Sequence, residues 1–416
     1  MKIVSVHARE ILDSRGFPTV ETLVKLDNGH FGLSSVPSGA STGATEAVEL
    51  RDGDKDRFMG KGVLKAVNNV NTELAKAVIG MEAWDQEKLD HRMIELDGTP
   101  NKGRLGANAI LSISEACIKA AAATNNQPLY KYIKESFKVG GDAYVLPQPT
   151  FNVINGGKHG NGKLEFQEFH VLPKKEQSFK HMLRVGDEVY LHLKKLLVEA
   201  GIFQGVGDEG GFTGEFLTNM DALDWMKKAI QAAGYKFAED AFVGLDTAAS
   251  EFYKDGAYHI SDKSYPLSNK DLIEYLYELH TEYHFHFLED GLDEADWDGW
   301  QQLTNRFANT NVPIIGDDLL TTNPARVQKA IDTKSCNAVL VKPNQIGSIT
   351  ETLDVVRKAK NAGWTTVLSH RSGETNDAFV ADFAVGVSAE IVKFGSPARG
   401  ERLAKYNRLV EIEEEL

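Results

Sequence analysis

The second half of the chain repeats one pattern: a short run of branched apolar residues that stops at a chemically active side chain. Phe242-Val243-Gly244-Leu245 stops at Asp246, Phe285-His286-Phe287-Leu288 at Glu289, and Val312-Pro313-Ile314-Ile315-Gly316 at Asp317. Ala338-Val339-Leu340-Val341 stops at Lys342, Thr366-Val367-Leu368-Ser369 at His370, and Ala389-Glu390-Ile391-Val392 at Lys393. Such runs read as buried parallel strands, and the longer amphipathic stretches between them, such as 268–281 and 348–362, read as helices. Alternation repeated this often predicts an α/β fold centred on a (β/α)8-type barrel. The C-terminal strand ends of a barrel open onto one face, so three carboxylates and two lysines are expected to converge there. Carboxylates bind a hard divalent cation, and a lysine among cations can act as a base near neutral pH.

The barrel does not begin uniformly. Pro149 to Asn155 and Phe166 to Leu172 read as strands, followed by helical stretches around 178–200 and 219–233, which predicts a β-β-α-α start before the regular units. The first part differs again. Residues 1–34 alternate like antiparallel strands with a turn at Asp27-Asn28-Gly29, and helical patterns dominate from about 61 to 123. We therefore expect a smaller N-terminal α+β domain over 1–135 and the barrel over 136–416. A net charge of −14 argues against bulk binding to nucleic acid or to anionic membranes. Cys117 and Cys336 read as buried free thiols, which suits a reducing compartment. No apolar stretch is long enough to span a bilayer, and the opening residues lack a signal-peptide core. The expectation is a cytoplasmic protein, with a secondary cell-surface or secreted pool left open.

Taken singly, each of these residues is an ordinary loop acid or solvated lysine. Their order with the remaining motifs is far more specific. Ala8-Arg9 precedes Asp13-Ser14-Arg15-Gly16-Phe17-Pro18-Thr19-Val20-Glu21, and Ser38-Gly39-Ala40-Ser41-Thr42-Gly43 follows. That loop lacks the lysine of a nucleotide-binding P-loop. Then come Asn155-Gly156-Gly157 with His159, Gln167-Glu168-Phe169, Gly207-Asp208-Glu209-Gly210-Gly211-Phe212, Leu288-Glu289-Asp290-Gly291-Leu292 and Gly316-Asp317-Asp318. Lys342-Pro343-Asn344-Gln345-Ile346-Gly347, Ser369-His370-Arg371-Ser372-Gly373-Glu374-Thr375 and Lys393 complete the series. Over essentially its whole length the chain resembles the enolase family, in a bacterial-like form. It departs from the family pattern at Gly160-Asn161-Gly162, at Pro343, and at Glu411, where the family usually has an arginine.

The resemblance implies dehydration of 2-phospho-D-glycerate to phosphoenolpyruvate, a small phosphorylated carboxylate substrate, and two Mg²⁺ per site, the second arriving with substrate. The enolase superfamily is a known case of a Lys or His base working with one or two magnesium ions. Asp246, Glu289 and Asp317 match the ligands of the first Mg²⁺, and Ser41 a ligand of the second, with the 38–43 loop closing as a lid. Lys342 matches the general base, its pKa expected to be lowered by Mg²⁺ and Lys393. Glu209 matches the general acid, expected to hold a proton near neutrality, with Glu168 and His370 in support. His159, Gln167, Glu289, Asp317, Lys342 and Lys393 match substrate-side contacts, and Arg371 with Ser372 a phosphate grip. Asp208, Asp290 and Asp318 are expected to support the site rather than bind metal directly. A homodimer or higher homo-oligomer is implied, and secondary protein partners are possible. Two alternatives stay open: another superfamily acid dehydratase, and a surface-binding or assembly protein with vestigial catalysis.

Overall fold

The computed structural model of the protein describes every residue of the chain except 41, 42, 161, 176 and 177. The chain opens with an antiparallel meander of Ile3–Leu12, Pro18–Leu26 and Phe31–Ser35. The Ala-rich helix Ala107–Thr124 lies across it. Small side chains make that approach possible: a Cβ added at Gly32 would sit 1.9 Å from the carbonyl oxygen of Ala116. Two buried polar contacts fix the register, Thr22 Oγ1 to Ser112 Oγ at 2.7 Å and the Ser34 hydroxyl donating to Glu115 at 2.5 Å. Both cysteines are buried and unpaired.

Eight strands then form a closed barrel. In chain order they are Gln148–Asn155, Glu168–Pro173, Ala241–Asp246, Leu288–Glu289, Ile314–Gly316, Ala338–Val341, Thr365–Ser369 and Ile391–Lys393. The eighth pairs with the first, Ile391 opposite Gln148, and closes the ring. The second strand is antiparallel to both neighbours, and the remaining pairs are parallel. The two helices of the expected start are Phe179–Glu199 and Asn219–Ala232. Between them the structure adds a hairpin, Phe203–Val206 with Phe212–Gly214, anchored on the first barrel strand by Ile154 opposite Phe212. Its strands have four and three residues, too short for alternation to register in sequence.

The pleat explains why each strand ends in chemistry. Leu172, Phe287, Ile315, Ala338, Leu340, Val367 and Ile391 form an apolar cluster separate from the larger core packed under the helices. Side chains two apart on a strand point the same way. Phe287 therefore shares a face with Glu289, Ile315 with Asp317, Leu340 with Lys342, and Ile391 with Lys393. Each polar group stands one pleat above an apolar plug, directed into the barrel mouth. The N-terminal domain rests on that mouth: Ser38 and Gly373 exchange backbone hydrogen bonds of 2.7 and 2.9 Å, and the Ala47 amide donates to the Gln345 carbonyl at 2.7 Å. Among the described residues, no helix is long and apolar enough to cross a membrane.

Candidate active site

The sequence-predicted site residues among those described are buried at this mouth except Lys342, whose side chain keeps 12% exposure; Ser41 lies outside the described residues. Asp246, Glu289 and Lys393 end their strands, while Asp317 and Lys342 follow theirs directly. Glu168 begins the second strand, and because that strand runs backwards its first residue reaches the face where the others end. His159 closes a short turn after the first strand. Glu209 sits in the hairpin loop, where glycines are required. A Cβ at Gly207 would lie 2.2 Å from the His159 carbonyl oxygen, and one at Gly211 2.5 Å from Asn155 Oδ1. Gly210 has φ +88° and would press its Cβ against Ser396.

One half of the site gathers carboxylates around ammonium groups. Lys393 Nζ lies 2.8 Å from Glu289 Oε1, 3.0 Å from Asp246 Oδ2 and 3.0 Å from Glu168 Oε2. Lys342 Nζ donates to Asp317 Oδ2 at 2.5 Å, and Gln345 Nε2 to Asp317 Oδ1 at 2.8 Å. Asp290 serves as support: its two oxygens accept the backbone N–H groups of Asp317 and Asp318, each at 2.9 Å. Pro343 takes the first position of a one-turn helix, where its missing N–H costs nothing.

The acids are short of positive charge. Burial and Asp246 push Glu289 well above the usual carboxylate range despite Lys393. Burial also raises Asp246, raises Asp290 strongly and, with Asp317 beside it, carries Asp318 to about 8. An excess of buried oxygen donors with raised pKa values is a setting into which a hard dication fits. Among the described residues, the groups whose ligand atoms already lie within 4.8 Å of one another are His159, Glu168 and Glu209, and Asp290, Asp317 and Asp318. The expected set of Asp246, Glu289 and Asp317 is divided instead between the two lysines.

The other half surrounds Glu209. Its Oε2 accepts from Asn152 Nδ2 at 3.0 Å and faces His370 Nε2 at 3.2 Å. Its Oε1 accepts from the Ser372 hydroxyl at 3.0 Å and lies 3.5 Å from His159 Nδ1. His159 Nδ1 is also 3.0 Å from Glu168 Oε1. Arg402 from the last helix, Gly400–Glu415, approaches from behind. Its guanidinium donates to His370 Nδ1 at 2.7 Å and to the carbonyl oxygens of Arg371, Ser372 and Asp208. Arginine has no acceptor, so His370 Nδ1 must carry the lone pair and Nε2 the proton, which is then donated to Glu209. Burial, with Arg402 alongside, lowers His370 to about 4, so the ring is neutral at physiological pH.

Two charge states are set by the protein's own neighbouring groups. Burial and Glu168 oppose ionisation of Glu209, yet His370 and His159 outweigh them and hold its carboxyl well below the usual range. Burial alone would lower Lys342, but the Asp317 carboxylate against it leaves it above the ordinary lysine value. Both results follow from partners within hydrogen-bond reach that are distant in sequence.

Gln167 lines the same cleft, and its Oε1 is buried without a partner among the described residues, as an acceptor awaiting a ligand donor would be. Sequence reasoning gave no role to Asn152, Arg402 or Gln345. Asn152 left a trace, as a polar residue inside an apolar run; Arg402 left none, lying in an ordinary charged helix. Glu411, at the departure from the family pattern, pairs with Arg408 of its own helix at 3.0 Å.

A family model described as the enolase N-terminal domain matches residues 3–133. A second, described as the enolase C-terminal TIM barrel domain, matches residues 143–416. With the closed barrel, its reversed second strand and the acid–lysine mouth all carried by the matched segments, the chain belongs to the enolase family.

Proposed function

We propose that the protein is a phosphopyruvate hydratase, which removes water reversibly from 2-phospho-D-glycerate to give phosphoenolpyruvate. Membership of the family makes it a metal-dependent lyase; the particular substrate is our reading. One observation carries it. Lys342 and the Glu209 cluster line a single small cleft together with Arg371 and Ser372, so base, acid and anion grip address one ligand.

The proton next to a carboxylate is barely acidic, because its loss adds charge to an existing anion. Asp246, Glu289 and Asp317 would hold Mg²⁺, which would supply positive charge for the developing negative charge and would offset Asp317 where it faces Lys342. Lys342 Nζ, once neutral, accepts the proton from the carbon bearing the phosphate. Lys393 pairs with the substrate carboxylate. Arg371 presents a planar two-pronged donor to the phosphate, which orients the reacting carbon towards Lys342. Glu209 gives a proton to the departing hydroxide, so the proton taken at one carbon and the hydroxide lost at the next balance as base-bound proton and water. Glu209 is ionised among its present neighbours. A ligand that draws Ser372 and His159 away weakens the contacts that hold its pKa down, and Glu168 then favours its protonated form. Arg402 and Asn152 position this acid group without touching substrate.

The test is direct. Purified protein supplied with Mg²⁺ and 2-phosphoglycerate should raise ultraviolet absorbance as the enol phosphate forms, and Lys342→Ala should abolish the rise. No rise in the unmodified protein, with turnover of an unphosphorylated acid instead, would overturn the reading.

A further inference from the structure

The guanidinium of Arg371 already holds an anion supplied by the protein. Nη1 donates to Glu46 Oε2 and Nη2 to Glu46 Oε1, each at 3.1 Å, so the two groups meet edge to edge. Nη1 also donates to Asn344 Oδ1 at 2.9 Å. Glu46 comes from the N-terminal domain; the Arg371 side chain is buried, 3% exposed, and that of Glu46 is nearly so, 9% exposed. A carboxylate and a phosphate offer an arginine fork the same pair of acceptor oxygens. The nitrogens engaged by Glu46 are therefore those a bound phosphate would use.

Glu46 is well placed to leave. Its remaining bonds are long, from the Gly43 amide at 3.2 Å and from Gln345 Nε2 at 3.3 Å. The main chain beside it is pinned by the 2.7 Å bond from Ala47 to Gln345. The side chain can swing while the backbone stays. Two anions on one buried guanidinium repel strongly, because screening is weak away from water.

We infer that Glu46 is a resident occupant of the phosphate seat, a specificity-determining residue that an incoming phosphate must displace from Arg371. The inference rests on the proposed role of Arg371 as phosphate grip. A phosphate dianion brings more charge and more acceptor oxygens than a carboxylate and wins the exchange. A ligand with only a carboxylate to offer gains nothing over Glu46 and is refused. The seat thus selects phosphate-bearing acids over unphosphorylated acids of the same skeleton.

Calorimetric titration with inorganic phosphate tests this on the whole protein. Glu46→Gln keeps the shape and removes the competing charge, so phosphate should bind about tenfold tighter, or about 1.4 kcal/mol. Arg371→Ala should lose phosphate binding. Equal or weaker binding by Glu46→Gln, with Arg371→Ala inactive in binding, overturns the displacement alone. Undiminished binding by Arg371→Ala overturns the phosphate-grip reading beneath it. A crystal of the unmodified protein soaked in phosphate decides the point without any variant. The Glu46 carboxylate should be withdrawn from Arg371, and phosphate bound there beside an intact Glu46–Arg371 pair refutes the inference.

Discussion

Replacing Lys393 with Met tests whether this ammonium stands where a cation belongs. Lys393 Nζ lies within 3.0 Å of three carboxylates, and all four side chains are at most 3% exposed. Removing one partner of a buried ion pair costs about 3–5 kcal/mol, because the other charge is left unpaired. Here three acids lose the same partner, yet the cost does not triple. Glu289 is already raised well above the carboxylate range and takes up a proton first, which caps the penalty near the upper end of that interval, about 5 kcal/mol. The sign with pH follows. A carboxyl with a folded pKa above its unfolded value binds more protons in the native state, so stability is lost above the folded pKa and recovered as pH falls towards the unfolded one. The variant should be less stable than the parent at neutral pH, with the gap narrowing on acidification from neutrality towards the ordinary glutamate range. Under the proposed metal assignment, magnesium should raise the melting temperature of Lys393→Met more than that of the parent, since a dication would no longer compete with the ammonium for Asp246 and Glu289. Thermal unfolding with EDTA and with saturating MgCl₂ reads both effects. Equal stability of the two metal-free proteins, or a magnesium shift no larger in the variant, would refute the argument.

Other outcomes separate the two halves of the site. Lys342→Ala and Glu209→Gln should each lower turnover by about 10²–10⁴-fold. Only Glu209→Gln should still exchange the substrate's acidic carbon proton with deuterated solvent, followed by NMR. Glu168 is held well below its ordinary value: burial opposes this, but Lys393, His159 and His170 outweigh it. Its stabilisation is complete above the unfolded pKa and lost as pH falls through the folded one, so Glu168→Gln should flatten the acid limb of stability against pH. Gly207→Ala drives a Cβ to 2.2 Å from the His159 carbonyl and should cut activity steeply by moving the Glu209 loop, while circular dichroism shows the barrel intact.

Much of the barrel mouth was legible along the chain because strands encode it locally. An apolar residue at one position and an ionisable one two places on, as in Leu340 and Lys342 or Ile391 and Lys393, specify which face is plug and which is site. The order of Asp246, Glu289, Asp317, Lys342 and Lys393 could be read without coordinates for that reason. The hairpin could not, since its strands are too short to show a period. The direction of the second strand could not either, because alternation looks the same in both directions; only its antiparallel pairing with both neighbours brings Glu168 to the mouth.

The charge states belong wholly to the tertiary structure. Lys393 meets Asp246 across 147 residues and Glu289 across 104, Arg402 reaches His370 across 32, and Glu46 reaches Arg371 across 325. A pKa answers to charges and donors a few ångströms away, whatever their place in the chain. Sequence alone thus determined which ionisable groups stand at the strand ends, through the pleat's twofold period. The folded arrangement decided which are ionised, which nitrogen of His370 keeps its proton and which anion occupies Arg371, because those depend on distances that exist only after the barrel has closed under its N-terminal domain.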